Sequence, residues 1–117
     1  MSSTLVSVCI PCYNAVSYVG HAIDSILTQS WRAVEIIVVD DGSTDGSRAV
    51  LDTYDSARVR ILHQENRGQC AAANRALAEA QGELIKFFDA DDLLAPETIE
   101  YQVRRLNGRT DSVASAQ

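Results

Sequence analysis

The fold of this chain is decided by the stretch Glu35-Ile36-Ile37-Val38-Val39-Asp40-Asp41-Gly42-Ser43-Thr44-Asp45. Residues 35–39 are nearly all apolar, which is typical of a parallel strand that is buried on both faces. The two carboxylates and the glycine that follow end the strand and form a turn. Parallel strands need long crossover connections, which are usually helices. The stretch therefore predicts an α/β domain with similar strands on either side.

Three further β-rich runs, separated by helical patterns, supply those neighbouring strands. We predict a first strand at residues 5–10 that Pro11 ends, a third at 59–62 and a fourth at 84–88. Apolar residues at helical spacing follow each strand, so that strands and helices alternate. Right-handed crossovers leave few arrangements open. We predict a doubly wound, mostly parallel sheet of order 3-2-1-4 with flanking helices, a Rossmann-like half-domain.

Short polar side chains stand where two of these helices are expected to begin. Asn14 or Ser17 is predicted to cap the first helix, and Ser43 or Thr44 the second. Such side chains accept hydrogen bonds from the first free amides of a helix. The last helix is expected to have Pro96 in its first turn, where a missing N–H costs nothing.

Length and composition limit the possible functions. The chain has 117 residues, 46% of them hydrophobic, and we assign residues 1–108 to one domain and 109–117 to a polar tail. Its net charge of -6 argues against a nucleic acid or an anionic membrane as partner. No apolar run is long enough for a signal peptide or a membrane span. Three cysteines are an odd number for a disulfide framework, so we expect a cytoplasmic protein.

The predicted sheet order brings separate acidic loops together. Strands 1 and 4 are neighbours in the order 3-2-1-4, and ligands bind such sheets at the carboxyl ends of the strands beside this switch point. The loop at residues 11–14 should therefore lie beside Asp89 and Asp91, and Asp40 and Asp41 should border the same crevice.

Each of these residue types has a chemistry that suits a nucleotide ligand. Asp89 and Asp91 offer the hard oxygen ligands that Mg²⁺ and Mn²⁺ prefer and often share with phosphate oxygens. Asp40 and Asp41 can accept hydrogen bonds from a base or ribose, and Tyr13 can stack on a nucleobase. Simpler interpretations stay open: solvated carboxylates that cap a helix, an Asp-Gly turn, and a tyrosine half-buried beneath its loop.

Other classes of protein fit the residues less well. Residues 41–52 have the spacing of a calcium-binding loop, but Asp52 stands where a glutamate is needed and a strand comes before. Cys9 and Cys12 form a C-x-x-C, but Cys9 lies within a strand. A receiver domain needs an acidic pair after strand 1, and a dehydrogenase needs G-x-G-x-x-G there; neither is present. A non-catalytic nucleotide-binding or assembly module stays open.

Four motifs, in the same order over residues 5–106, resemble those of family 2 glycosyltransferases. They are Pro11-Cys12-Tyr13-Asn14, then Asp40-Asp41-Gly42-Ser43-Thr44-Asp45, then Asn66-Arg67-Gly68 followed by Ala71 to Asn74, and finally Asp89-Ala90-Asp91-Asp92 with Pro96. Single motifs this short have many false matches, whereas four in order are specific.

The resemblance implies the GT-A fold and transfer of a sugar, usually with inversion, from a nucleoside-diphosphate sugar, with a UDP-sugar favoured. It implies Mn²⁺ or Mg²⁺ as cofactor, held on the donor pyrophosphate by Asp91 together with Asp89. The other nucleotide-sugar-binding residues that it implies are Pro11 and Tyr13 at the base pocket, Asn14 beside them, Asp41 on the base, Asp40 in support of that loop and Asp89 at the ribose or sugar.

Members of the family continue into a second half that supplies the acceptor site and an acidic general base. Nothing after Asp92 offers that base, because Glu97 and Glu100 lie on the helix just beyond the metal loop. We therefore expect the donor-binding half of an enzyme of cell-surface polysaccharide synthesis, without a catalytic residue of its own. The full-length enzyme is expected at the inner face of the membrane. Strand 4 would have an unpaired apolar edge, which predicts a homodimer.

Overall fold

A computed structural model of the chain describes residues 4–107, in which strands and helices alternate as predicted. The elements are β1 (Val6–Cys12), α1 (Val19–Leu27), β2 (Val34–Asp41), α2 (Ser47–Asp52), β3 (Val59–Gln64), α3 (Gln69–Glu79), β4 (Leu84–Phe87) and α4 (Thr98–Asn107). The predicted tail at residues 109–117 lies outside the described residues. Within residues 4–107, no helix combines the length and the apolar character that crossing a membrane requires.

The four strands form a parallel sheet of order β3-β2-β1-β4, which confirms the predicted topology. Val6 of β1 lies opposite both Val34 of β2 and Leu84 of β4, so these strands begin level with one another. The pairing of β1 with β4 ends at Cys9, whereas β1 and β2 remain paired as far as Cys12. The carboxyl ends of the two central strands therefore extend past the end of β4 and leave a step at the sheet edge.

The two faces of the sheet carry unequal cores. On one face α3 packs through Ala72 and Ala76 against Cys9, Ile37 and Val39, and these small alanines let the helix approach closely. The other face is covered by α1, α2 and α4, and its buried side chains include Val8, Ile10, Ile23, Ile26, Ile36, Leu51, Ile99 and Val103. Each fully buried aliphatic side chain contributes about 1.5 to 3 kcal/mol. The central strands are therefore firmly held, which is what positions the loops at their ends.

Pro11 does not end β1, contrary to the prediction, and its position in the ladder explains why. β1 continues to Cys12, and Pro11 lies opposite Val39 of β2. Alternate residues of a strand direct their backbone groups to the same side, and the carbonyl of Cys9 accepts from the amide of Phe88 on the β4 side. Pro11 has that same orientation but lies beyond the end of the β1–β4 pairing. Its missing N–H therefore interrupts no ladder hydrogen bond.

The helix starts also differ from those predicted. The capping prediction is wrong for all four candidates, Asn14, Ser17, Ser43 and Thr44. α1 begins at Val19 and α2 at Ser47, each without a side-chain cap hydrogen bond. Pro96 stands before α4, which begins at Thr98. Asn14, Ser43 and Thr44 bond to one another across two loops instead, because the tertiary structure brings those loops together.

Candidate functional site

A cleft of about 540 Å³ opens at the carboxyl ends of β1, β2 and β4, the position predicted from the sheet order. Six of the seven predicted site residues line this cleft: Pro11, Tyr13, Asn14, Asp41, Asp89 and Asp91. The first turn of α3 and the loop before it supply another wall, to which Asn66, Gly68 and Gln69 belong. Tyr13 is 52% exposed, so its ring is available to a ligand instead of being buried beneath its loop.

Asp41 is fixed by hydrogen bonds from the segment that follows β3. Its Oδ1 accepts from Gln64 Nε2 at 2.8 Å and from the amide of Arg67 at 2.8 Å, and its Oδ2 accepts from the amide of Gly68 at 3.0 Å. Burial by itself would raise the pKa of Asp41, but these three donors outweigh it and hold the pKa below its usual value. The cleft therefore contains an ionised carboxylate of defined orientation.

The turn after Asp41 and the loop before α3 interlock. Asn66 Nδ2 donates to the carbonyl of Asp41 at 3.1 Å. Gly42 has φ +76°, and a Cβ there would lie 2.8 Å from the amide nitrogen of Asn66. Only glycine fits such a close approach at positive φ. The glycine of the Asp-Asp-Gly motif is therefore required by the contact between the two loops, as well as by the turn.

Asp40, although predicted to be in the site, does not line the cleft. It is buried, its Oδ1 accepts from the amide of Ser43 at 3.2 Å, and its Oδ2 lies 3.0 Å from Nδ1 of His63. Successive residues of a strand point to opposite faces, and here it is Asp41 that faces the cleft. The geometry of Asp40 fits the loop-supporting role that the family resemblance implies. His63 was not predicted, because a lone histidine at a strand end has no recognisable sequence signal.

Asn14 holds the loop after β1 against the loop after β2. The backbone amide of Asn14 donates to Ser43 Oγ at 2.9 Å, and its side-chain Oδ1 accepts from the backbone amide of Thr44 at 2.7 Å. The next amide, of Ala15, donates to Ser47 Oγ at 3.0 Å. Asn14 has φ +49°, the positive value that asparagine tolerates better than most residues. The side chain predicted to touch the nucleotide therefore also determines the shape of the cleft wall.

An acidic cluster of three aspartates follows β4, and two of them, Asp89 and Asp91, line the cleft. Asp89, Asp91 and Asp92 are exposed, and one carboxylate oxygen from each lies within 4.8 Å of the others. The amide of Asp92 donates to the carbonyl of Asp89 at 3.1 Å, which folds the segment into a turn. Three hard oxygen ligands within reach of one ion suit Mg²⁺ or Mn²⁺, which keep waters and phosphate oxygens as further ligands. The sequence predicts Asp89 and Asp91 as candidate ligands, and the turn brings the carboxylate of Asp92 within the same distance.

Two side chains near the end of α1 hold the segment that follows the acidic cluster. Ser25 Oγ accepts from the amide of Leu94 at 3.2 Å. Gln29, only 2% exposed, donates from Nε2 to the carbonyl of Ala95 at 2.7 Å and accepts at Oε1 from the amide of Ile99 at 3.1 Å. These bonds, of which the one to Ile99 is buried, anchor the segment that follows the acidic turn. No sequence pattern marked Gln29, because its partners lie far along the chain.

An open parallel sheet with a polar cleft beside its switch point defines the class of nucleotide-binding α/β domains. Within that class, residues 7–117 match the family model described as Glycosyl transferase family 2, and the chain belongs to this family. The family resemblance of the four motifs is thereby confirmed.

Named relatives and solved structures agree with this assignment. The chain is 44% identical over 101 residues to glycosyltransferase GlyG of Streptococcus pneumoniae, covering 84% of this chain and 34% of that protein. It is 39% identical over 109 residues to the putative teichuronic acid biosynthesis glycosyltransferase TuaG of Bacillus subtilis, covering 91% of this chain and 43% of the relative.

Two solved structures superpose closely on the fold. TarS residues 1–349 of S. aureus in complex with UDP has a TM-score of 0.81 and 28% identity, over 89% of this chain and 32% of that one. The mannosyltransferase PcManGT of Pyrobaculum calidifontis, in complex with GDP-Man and Mn²⁺, has a TM-score of 0.81 and 31% identity, over 91% and 33%. These neighbours confirm the GT-A fold. The chain spans about a third of the length of most of these proteins.

Proposed function

We propose that this chain forms the donor-binding part of a glycosyltransferase, which binds a nucleoside-diphosphate sugar through a divalent cation. In the complete enzyme the sugar passes to an acceptor with inversion. One observation carries the proposal: a single cleft is lined both by an oriented, ionised Asp41 and by Asp89 and Asp91 of the acidic cluster. A nucleotide sugar has an N–H-bearing base at one end and a metal-binding pyrophosphate towards the other, and so matches both groups.

The base end of the donor would lie between Tyr13 and Asp41. Within the described part of the chain, Oδ2 of Asp41 accepts one hydrogen bond, from the amide of Gly68, and a carboxylate oxygen has room for a second donor. A base with a ring N–H, such as uracil or guanine, supplies that donor. The exposed ring of Tyr13 offers a stacking surface. TarS was solved with UDP and PcManGT with GDP-Man, and we favour a UDP-sugar for this chain.

The pyrophosphate end would lie at the acidic cluster. Asp91, with Asp89 and Asp92 in reach of the same ion, would hold Mn²⁺ or Mg²⁺. The cation, when bound, neutralises the charge that develops on the departing nucleoside diphosphate. Ser25 and Gln29 hold the segment that follows the acidic cluster. The carboxylates would therefore bind the ion without a large rearrangement of the backbone. The Mn²⁺ in the PcManGT complex supports this proposal.

The general base that activates the acceptor is proposed to lie outside this chain. Among the described residues, the carboxylates lining the cleft are Asp41, Asp89 and Asp91, and each already has a donor-binding role in the proposal. GlyG is about three times as long as the region that it shares with this chain, and the base is expected in the part that this chain does not span. The teichuronic acid enzyme among the relatives supports a role in cell-surface polysaccharide synthesis. The cytoplasmic location remains a prediction.

Self-association through β4 is a separate part of the proposal. β4 (Leu84–Phe87) is an edge strand of the sheet formed by the described residues, and Phe87 is 39% exposed. An edge strand that carries an exposed aromatic ring forms a surface that pairs readily with another strand. We propose that two copies of the chain associate there.

Calorimetric titration with UDP, GDP and dTDP, each with and without Mn²⁺, tests the donor site. We expect metal-dependent binding that Asp91→Ala abolishes and that Asp55→Ala leaves intact. Asp55 is an exposed carboxylate before β3, at the opposite end of the sheet, so it matches the charge change. Failure of all three nucleotides to bind a folded chain would refute the proposal. Binding without sugar transfer by the full-length parent would favour the non-catalytic module instead.

A further inference from the structure

We propose that His63 is a positioning residue for the nucleotide cleft, which holds the wall formed by Tyr13 and Asn14 in its binding shape through Asp40. The identity of the ligand rests on the proposed function, whereas the effect of His63 on the two loops can be measured in the ligand-free protein. The contacts run from His63 to Asp40, then to the loop after β2, and finally to the loop after β1.

His63 stands between two carboxylates. Its Nδ1 lies 3.0 Å from Oδ2 of Asp40, and its Nε2 lies 3.1 Å from Oδ1 of Asp52. Asp40 is nearly inaccessible, with a side chain 3% exposed, whereas the side chain of Asp52 is 59% exposed. An imidazolium donates from both nitrogens, and a neutral ring from one. The third charged group in contact is Arg75, whose Nη1 donates to the carbonyl of His63 at 2.9 Å.

Asp40 transmits this contact to the loop after β2. Oδ2 of Asp40 contacts the imidazole, and Oδ1 accepts from the amide of Ser43 at 3.2 Å. A buried carboxylate keeps a fixed orientation only while its hydrogen bonds are satisfied. Removing the imidazole donor would free the carboxylate to rotate, and the Ser43 amide would lose its partner.

The loop after β2 in turn holds Asn14. Ser43 Oγ accepts from the amide of Asn14, and the amide of Thr44 donates to Oδ1 of Asn14. Within residues 4–107, Asn14 is the one residue other than glycine with positive φ. Such a conformation persists only where surrounding contacts impose it. Loss of the Ser43 and Thr44 bonds would let Asn14 relax to negative φ and move Tyr13, its neighbour in the cleft wall.

The chemistry of the two carboxylate contacts allows them to be separated by substitution. In His63→Asn the amide nitrogen occupies nearly the position of Nδ1, so it can donate to Asp40 and not to Asp52. In His63→Gln the amide nitrogen occupies nearly the position of Nε2, so it reaches Asp52 and not Asp40. If His63 only fastens α2 through Asp52, His63→Gln should behave like the wild type. If His63 positions the loop through Asp40, His63→Asn should behave like the wild type instead.

Amide hydrogen exchange on the ligand-free protein is the first measurement. We expect His63→Ala and His63→Gln to speed exchange of the Ser43, Thr44 and Asn14 amides about tenfold or more, the effect of losing one charge-assisted hydrogen bond. His63→Asn should stay near the wild-type rates. Arg60→Ala is the matched control, because Arg60 lies on the same strand but pairs with Glu79 of α3. Rescue by glutamine instead of asparagine, or unchanged rates in His63→Ala and His63→Gln, would overturn the inference.

Titration of the same variants with the nucleotide that the wild type binds is the second measurement. We expect the dissociation constant to rise about tenfold in His63→Gln and to change less than about threefold in His63→Asn and Arg60→Ala. If exchange responds as expected but affinity does not, His63 is not a positioning residue for the ligand. If no nucleotide binds the wild type, the proposed function fails, while the exchange data still decide whether His63 holds the loop.

Discussion

Replacing Asp41 with asparagine tests whether the chain fixes a charged group in its cleft before any ligand arrives. The carboxylate accepts hydrogen bonds from Gln64, Arg67 and Gly68 at 2.8, 2.8 and 3.0 Å. The asparagine side chain would have one acceptor oxygen, which keeps the first two bonds in weaker, neutral form. The side-chain NH₂ of the asparagine would then face the backbone N–H of Gly68, so that the third hydrogen bond would be lost. The substitution keeps the volume and removes the charge, so its effect is specific to these bonds.

The magnitude follows from that geometry. A hydrogen bond to a charged group is worth about 1.5 to 3 kcal/mol and a neutral one about 1 kcal/mol. At the lower end of these ranges, losing one charged bond and weakening two should lower the free energy of unfolding by about 3 kcal/mol. For a domain of this size, that corresponds to a fall in Tm of about 10 to 15 °C. Domains are stable by only about 5 to 15 kcal/mol, so the change is easily measured.

The assay is urea unfolding of wild type and Asp41→Asn over a range of pH, with Asp55→Asn as the exposed control. The donors hold the pKa of Asp41 below its usual value in the folded protein. A group with a lowered folded pKa stabilises above its unfolded pKa and loses that contribution as the pH falls through the folded value. The difference between the two proteins should be constant above about pH 5 and narrow below about pH 4. A difference under about 0.5 kcal/mol at pH 7, or one that persists undiminished in acid, would refute the reasoning.

Four further predictions test other parts of the molecule. Gly82→Ala should lower stability by about 1 to 3 kcal/mol, because its Cβ would lie 2.5 Å from Ser7 Oγ and 2.8 Å from the backbone of Leu5; unchanged thermal unfolding would contradict this contact. Gln29→Leu should lower the free energy of unfolding in urea by about 1 to 3 kcal/mol, because it leaves the buried Ile99 amide without a partner and removes the bond to the Ala95 carbonyl. A neutral effect would mean that the anchor is dispensable. Burial, with nearby carboxylates adding to it, raises the pKa of Cys9 and of Cys12 to about 11. Iodoacetamide at neutral pH should therefore label exposed Cys70 alone, as detected by mass spectrometry. Rapid labelling of Cys9 or Cys12 would contradict this prediction. Sedimentation velocity should show association that grows with concentration if copies pair through β4, and a monomer throughout would exclude it.

The fold was largely predictable because its signals are local. A run such as residues 35–39 is apolar enough to identify a buried parallel strand, and the alternation with helical periodicity then limits the sheet order. Because parallel strands deliver their carboxyl ends to one edge of the sheet, the meeting of Asp41 with Asp89 and Asp91 followed from the order alone. The errors fell at element ends, at Pro11 and at the helix caps, where the outcome depends on which neighbour faces a given backbone group.

The different positions of the site residues could not be predicted from local signals in this way. The two adjacent aspartates of the motif look equivalent in sequence, yet Asp41 lines the cleft and Asp40 turns towards His63. The bonds that distinguish them join residues 23 and 27 positions apart. Gln29 reaches 70 positions along the chain to Ile99. Hydrogen-bond partners so far apart along the chain produce no periodic pattern in the sequence.

The sequence by itself determined the order of the strands, the acidic residues at their ends and the family to which the chain belongs. Those properties arise from hydrophobic periodicity and from motifs of neighbouring residues, whose order along the chain can be read without a structure. The tertiary structure alone decided which carboxylate faces the cleft, which one is buried beside it, and how Asn14 is kept at positive φ. Each of these depends on hydrogen bonds between loops that meet only after the sheet has assembled, because donors and acceptors satisfy one another in space rather than along the chain.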